Sequence, residues 1–145
     1  MLPFDGYPGS GRVLLGATPG GTCRREYGLV FMRKTGQTCC AYCGLNFAAR
    51  YEDWLQMAID HVVPKSVCGA LDIPILWYED CINKVLACAA CNGFDNRYKL
   101  PETDVCPATL EEFFILRDRI FSERSERIAR RHSKEREFYN LRPWE

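Results

Sequence analysis

The sequence has little of three things: long apolar runs, an excess of charge of one sign, and histidine. No apolar run approaches the ~20 residues that span a bilayer, and the opening segment MLPFDGYPGS lacks the basic start and apolar stretch of a secretory signal. Nineteen Lys and Arg residues balance nineteen Asp and Glu residues, so no overall positive field attracts a polyanion. The sequence therefore predicts a soluble, cytoplasmic protein that does not bind membranes and in which any nucleic-acid site is local.

Only two histidines are present, and one of them, His61, directly follows an acid in the segment AIDHVVPKSVCG. The pair Asp60 and His61 closes an apolar run, and Pro64 follows three residues after the histidine. Adjacent side chains of a β-strand point to opposite faces, so a carboxylate and an imidazole placed in this way serve two different neighbours. An isolated Asp-His pair also has a purely structural interpretation, so its meaning depends on the residues around it.

One domain that contains both helices and strands is the expected architecture. A chain of 145 residues with 47% hydrophobic residues has the size and apolar content of a single globular domain. Residues 1–22 are rich in Gly and Pro, which predicts a flexible arm without core elements. Apolar spacing predicts a helix over 24–34 that ends at Gly36, strands over 54–63 and 83–88, and a further helix from about Cys91.

Nine cysteines are a high and odd number, which argues against a fully paired disulfide framework in a chain that shows no export signal. Four of them form two C-x-x-C pairs, Cys40 with Cys43 and Cys88 with Cys91. Two such knuckles supply the four thiolates of a tetrahedral structural zinc site. Cys39 adjoins Cys40 and is an alternative ligand, and a redox pair or small buried side chains are the alternatives to zinc. The scattered cysteines are expected to be ordinary thiols: Cys23, Cys68, Cys81 and Cys106.

The order of these features is similar to that of a known family. Between Cys40 and Lys99 the chain carries the knuckle CAYCG, the segment DHVVPKS, Asn83, and the knuckle CAACN with an asparagine directly after its second cysteine. This order resembles the HNH endonucleases, in the subgroup whose ββα-metal (His-Me finger) core is braced by a four-cysteine zinc site. The resemblance implies an α+β fold with a nuclease domain over 23–107, and the chain beyond it, 108–145, is expected to be a helical extension packed on that core.

The resemblance also implies a role for each matched residue. His61 is the expected general base in the hydrolysis of a DNA phosphodiester bond. Asp60 and Asn92 are the expected ligands of a catalytic Mg²⁺ or Mn²⁺, since carboxylate and amide oxygens are hard donors. Asn83 is expected to hydrogen-bond the loop between the strands and so orient the backbone that carries His61. The expected phosphate contacts are Lys65, Arg97 and Lys99.

Three positions depart from the commonest family pattern. Asn92 stands where many members have histidine, a difference that bears on metal preference more than on activity. Gly69 stands alone where many members have a Gly-Gly pair. Asp95 replaces a basic residue that is usual there; it is expected to be a solvated helix residue, with an accessory metal ligand as the alternative.

The last third of the chain predicts a long helix. Thr109 is a suitable N-cap, with Glu111 and Glu112 in the first turn. The first half of the helix has a wide apolar face that should pack on the core: Leu110, Phe113, Phe114, Leu116, Ile120 and Phe121. The second half has basic residues at three- and four-residue spacings, namely Arg124, Arg127, Arg131 and Lys134. These predict a solvated face, with a DNA-backbone stripe as the alternative, and His132 on that face is not expected to be catalytic.

Two functions follow from the sequence. The first is a metal-dependent HNH endonuclease that nicks or cuts DNA, with a protein partner or a homodimer as the expected source of target specificity. The second is a zinc-ribbon module that binds nucleic acid or protein without cleaving it. A pure zinc module has no need of Asp60, His61, Asn83 and Asn92 together, so the nuclease is the leading hypothesis.

Overall fold

The computed structural model describes residues 2–7, 24–95, 98–101, 104–142 and 144–145. Its helices and strands are α1 (Arg24–Thr35), α2 (Tyr51–Trp54), β1 (Met57–His61), α3 (Lys65–Ala70), α4 (Ile75–Tyr78), β2 (Lys84–Cys88), α5 (Ala89–Phe94) and α6 (Leu110–Asn140). Short 3-10 turns cover Pro3–Gly6 and Cys81–Asn83. The predicted mixture of helices with strands is confirmed.

The sheet consists of two antiparallel strands, β1 and β2. Met57 pairs with Cys88 at one end, and His61 pairs with Lys84 at the other. Every residue of β2 is buried, since the sheet is covered by side chains on both faces. β1 is shorter than the predicted strand because residues 51–54 form a helical turn closed by the bond from Leu55 N to Tyr51 O.

Helix α1 precedes the sheet and packs on it. Tyr27 and Phe31 lie on its buried face. The helix ends as predicted at Gly36, whose φ of 74° lies in the left-handed region where glycine carries no Cβ penalty. The predicted helix over 24–34 is therefore confirmed.

Helix α6 is 31 residues long and begins as predicted. The Thr109 hydroxyl accepts a bond of 3.1 Å from the backbone N–H of Glu112, so Thr109 is the N-cap. Phe113 and Ile120 of its first half are fully buried, which confirms that this half packs on the core. From residue 129 to the end of the helix at Asn140 the side chains are exposed except for the half-buried His132.

The N-terminal segment contributes to the core, which corrects the prediction of an arm without core elements over 1–22. Phe4 is buried against Val62, Val85 and Phe121. The Tyr7 hydroxyl donates to the carbonyl of Lys84, which ties this segment to the first residue of β2. Residues 1 and 8–23, and Cys23 with them, lie outside the described residues.

None of the helices within the described ranges combines the length and the apolar character that a membrane span requires.

Candidate functional site

The two C-x-x-C pairs come together at one end of the sheet. The Sγ atoms of Cys40, Cys43, Cys88 and Cys91 all lie within 4.8 Å of one another. The Sγ atoms of Cys43 and Cys88 are 3.7 Å apart. Four sulfurs at about 2.3 Å from a zinc ion in a tetrahedron lie about 3.8 Å from one another, so the spacing fits zinc. The prediction that these four cysteines form one potential metal site is confirmed.

Cys39 is not part of this group. Its Sγ lies 3.7 Å from the hydroxyl of Thr38, while the neighbouring Cys40 faces the other sulfurs. The backbone explains the choice, because Cys39 pairs with Asn46 in a β-bridge and adjacent residues of an extended segment point to opposite sides. Cys40, and not Cys39, therefore belongs to the cluster, in agreement with the C-x-x-C spacing to Cys43.

Backbone amides donate hydrogen bonds to two of the sulfurs, which favours their thiolate form. The amide of Cys88 donates to Cys40 Sγ over 3.3 Å, and the amide of Cys91 donates to Cys88 Sγ over 3.5 Å. Hydrogen bonds from Cys88 and Cys91 lower the pKa of Cys40, whereas bonds with Cys40 and Cys88, together with burial, raise the pKa of Cys91. Without a cation the cluster cannot hold four thiolates, because each added negative charge opposes the next. A divalent ion such as zinc removes that opposition.

Helix α6 reaches this cluster through His132. Its Nε2 lies 3.0 Å from Cys91 Sγ, and its ring packs edge-on against Phe94 at 4.9 Å. The sequence placed His132 on a solvated face, which is wrong for this residue. Nothing in the local pattern marks the contact, since the two partners are 41 residues apart.

Asp60 lies at the other end of the sheet, on the face toward α6. Its Oδ2 accepts a bond of 2.9 Å from the Tyr42 hydroxyl and lies 2.8 Å from Nη1 of Arg124. The same nitrogen donates to the carbonyls of His61 and Val62, at 2.9 and 3.0 Å. The Arg124 side chain is only 2% exposed, so the prediction of a solvated face is wrong at this position.

Asp95 joins the same guanidinium from α5. Its Oδ2 lies 3.3 Å from Nε of Arg124 without an aligned hydrogen bond, and its Oδ1 lies 3.5 Å from Arg127. The carboxylate is 9% exposed, so the expectation of a solvated helix residue is wrong. Asp60 and Asp95 thus share one buried arginine. Removing any one of the three side chains would leave a buried charge without its partner, which destabilises the folded state.

His61 faces the opposite side, as the alternation of a strand requires. Its Nε2 lies 3.3 Å from the carboxylate of Glu79, which is also 3.1 Å from Lys65 Nζ and 3.6 Å from Lys84 Nζ. Burial lowers the pKa of His61, and the nearby Glu79 opposes that shift in part. The ring is therefore neutral at physiological pH, the form that accepts a proton. Sequence reasoning did not single out Glu79, which no spacing connects to the histidine.

Asn83 is fully buried beside this end of the sheet. Its Oδ1 accepts from the amide of Val63 at 2.9 Å, and its Nδ2 donates to the carbonyls of Val63 and Tyr78 at 3.1 and 3.0 Å. The Asn83 carbonyl accepts from the amide of Val62 at 2.8 Å. Asn83 therefore hydrogen-bonds the backbone of both Val62 and Val63, the two residues that follow His61.

The other predicted site residues that lie in the described ranges are half-buried or exposed. Asn92 is half-buried on α5, next to Cys91. Lys99 is exposed, and Lys65 is 64% exposed while paired with Glu79. Arg97 lies outside the described residues.

Asp60 uses one carboxylate oxygen for its side-chain contacts to both Tyr42 and Arg124. Asn92 directly follows Cys91, whose Sγ belongs to the cluster at the opposite end of the sheet from Asp60. Arg124 already balances the Asp60 charge, so a divalent ion at Asp60 would have to share the carboxylate with the guanidinium or displace it.

No protein-family model, curated protein or solved structure matches this chain. The chemical content of the site therefore comes from its own geometry. That geometry consists of a four-sulfur cluster suited to zinc, a neutral imidazole beside a carboxylate, and an asparagine that holds the backbone directly after the imidazole.

Proposed function

We propose that this chain is a zinc-braced HNH endonuclease with a ββα-metal core, which hydrolyses DNA phosphodiester bonds with His61 as general base. The observation that carries the proposal is the way Asn83 holds Val62 and Val63, directly after the Asp60-His61 pair. Strands β1 and β2 and helix α5 follow one another in the order that the resemblance implies, with the cysteine cluster at the far end.

The general base must be neutral and must have a ring nitrogen within reach of water. Burial keeps the pKa of His61 low, and the side chain remains 21% exposed, so water can approach it. Asp60 and Asn92 would hold Mg²⁺ or Mn²⁺, which when bound supplies positive charge to the phosphate and to the departing oxygen. Lys65, Lys99 and Arg97 are the proposed contacts to flanking phosphates, and a partner or a second copy of the chain is the proposed source of target choice.

The experiment is a plasmid cleavage assay on the zinc-loaded protein. Supercoiled DNA is incubated with wild type, His61→Ala and the control Glu111→Ala, each with Mg²⁺, Mn²⁺ or EDTA. We expect nicking or linearisation by wild type and Glu111→Ala in a divalent ion, and none by His61→Ala. Zinc content and thermal unfolding of the variants show that the fold is kept. Cleavage that persists in His61→Ala, or no cleavage of duplex, branched or single-stranded DNA by wild type, overturns the proposal.

A second candidate is a zinc module that binds nucleic acid without cleaving it. The observation that favours it is the Arg124 guanidinium at 2.8 Å from Asp60, which occupies the carboxylate that a catalytic ion needs. This candidate predicts DNA retention in a mobility-shift assay that is the same for wild type and for His61→Ala, with intact DNA in both. It is contradicted by divalent-ion-dependent cleavage.

A further inference from the structure

Glu79 stands at the meeting point of three nitrogen-bearing side chains on the His61 face of the sheet. Both of its carboxylate oxygens lie 3.3 Å from His61 Nε2, and Lys65 and Lys84 approach from other sides at 3.1 and 3.6 Å. Partial burial opposes its charge, but the hydrogen bond from Lys65 and the nearby His61 outweigh it and lower the pKa of Glu79. The carboxylate is therefore ionised at neutral pH and can only accept hydrogen bonds.

The backbone at Glu79 is held as firmly as its side chain. Its amide donates to the Ile75 carbonyl at 2.9 Å and ends α4, and its own carbonyl accepts from Nζ of the buried Lys84. The preceding carbonyl, that of Tyr78, accepts from Asn83 Nδ2 at 3.0 Å. The orienting asparagine and the lysine that pairs with His61 across the sheet thus both place the residue that contacts the imidazole.

A neutral imidazole has one N–H and one bare nitrogen, and a carboxylate beside it can bond only to the nitrogen that carries the hydrogen. A carboxylate at Nε2 therefore places the hydrogen there and leaves the lone pair on Nδ1. It also limits rotation of the ring, as an outer carboxylate does for histidines in metal sites and catalytic triads.

We propose that Glu79 is the positioning residue of His61, which holds the ring in its Nε2–H tautomer and presents Nδ1 toward the substrate. The consequence for catalysis rests on the proposed function, whereas the tautomer itself does not. Glu79 acts through the histidine and contacts no reacting atom.

The test compares three changes in the zinc-loaded chain. Glu79→Met removes the acceptor at similar length, Glu79→Gln keeps a neutral acceptor, and Glu126→Met changes an exposed glutamate of α6 as the matched control. The tautomer is read by two-bond ¹H–¹⁵N correlation NMR on ¹⁵N-labelled protein. The chain has only two histidines, so the His61→Ala spectrum assigns the signals.

We expect the Nε2–H pattern at His61 in wild type, in Glu126→Met and in Glu79→Gln, and a mixture of tautomers in Glu79→Met. We also expect Glu79→Met to lower kcat of DNA cleavage by about 10- to 100-fold with KM nearly unchanged, and Glu79→Gln to recover most of that loss. An Nδ1–H pattern in wild type, or an unchanged tautomer in Glu79→Met, overturns the proposal. If the tautomer responds as expected while wild type cleaves no DNA, the positioning role holds and the nuclease function fails.

Discussion

The two ends of the β1–β2 sheet are stabilised by different means. At the Met57–Cys88 end, four sulfurs from two short sequence repeats converge within 4.8 Å. At the His61–Lys84 end, the strands are held by charged and amide side chains from α4, α6 and the turn before β2. The first end could hold a metal ion such as zinc, while the second is held by hydrogen bonds and ion pairs within the chain. Stability at the first end would therefore depend on a bound ion, whereas stability at the second depends on paired charges and amide hydrogen bonds.

The largest effect is expected from breaking the cysteine end. Cys88→Ser removes a thiolate, so the protein should lose its zinc and its cooperative unfolding transition, because structural zinc binding is also folding free energy. Metal analysis and thermal denaturation measure both. Cys39→Ser is the matched control and should keep both the zinc and the transition temperature. Equal loss in the two variants would show that Cys39 belongs to the metal site.

The next effect is expected at the other end, from the shared arginine. Arg124→Met leaves the buried Asp60 carboxylate with only the Tyr42 hydroxyl and the buried Asp95 carboxylate with only the half-exposed Arg127, so the free energy of unfolding should fall by about 3–5 kcal/mol. Urea denaturation of the zinc-loaded protein measures it. Arg127→Met, which removes a 40%-exposed partner of Asp95, should cost less than about 1 kcal/mol. Similar losses in both variants would mean that Arg124 is not the essential member of the cluster.

A smaller effect is expected from the asparagine that holds the loop after β1. Asn83→Ala leaves the amide and carbonyl of Val63 and the carbonyl of Tyr78 without these partners, so unfolding should become easier by about 2–4 kcal/mol. Hydrogen exchange of the Val63 amide should accelerate as well. Asn46→Ala is the control, since it removes one exposed bond to the amide of Ala48. Equal exchange at Val63 in the two variants would contradict the assigned role.

The smallest effect is expected from the outer edge of the charged end. Lys65→Met breaks an ion pair whose lysine is 64% exposed, so solvent already screens it and the free energy of unfolding should change by about 0–1 kcal/mol. Added salt should reduce even this difference. A loss of stability as large as that of Arg124→Met would show that the charged groups around Glu79 stabilise the fold, in addition to contacting His61.

Local patterns predicted the features that depend on short stretches of chain. The helix that ends at Gly36, the Thr109 N-cap and each C-x-x-C knuckle follow from residues within a few positions of one another. The two knuckles lie 45 residues apart, and their pairing was predicted from the preference of zinc for four ligands. The ends of the strands were less predictable, since the apolar run that includes Trp54 fits a helical turn as well as a strand.

Contacts between distant segments of the chain could not be predicted from the sequence. Basic residues at helical spacing indicated a solvated face, yet Arg124 is buried against two carboxylates. Local spacing could not reveal this, because Asp60 and Asp95 lie 64 and 29 positions away along the chain. Phe4 packs in the core although Gly and Pro surround it, because a short 3-10 turn brings it against Phe121.

Residue types and short spacings were enough to identify the groups on which the hypotheses rest: thiols in two knuckles, one histidine beside one acid, and an asparagine before the second strand. The contacts of these groups came from the folded chain, which brings Arg124 to Asp60, Glu79 to His61 and His132 to Cys91. The physical reason is that residue types and local spacing define donors and conformations, whereas a buried charge or hydrogen bond is defined by whichever group the folded chain brings within about 3 Å.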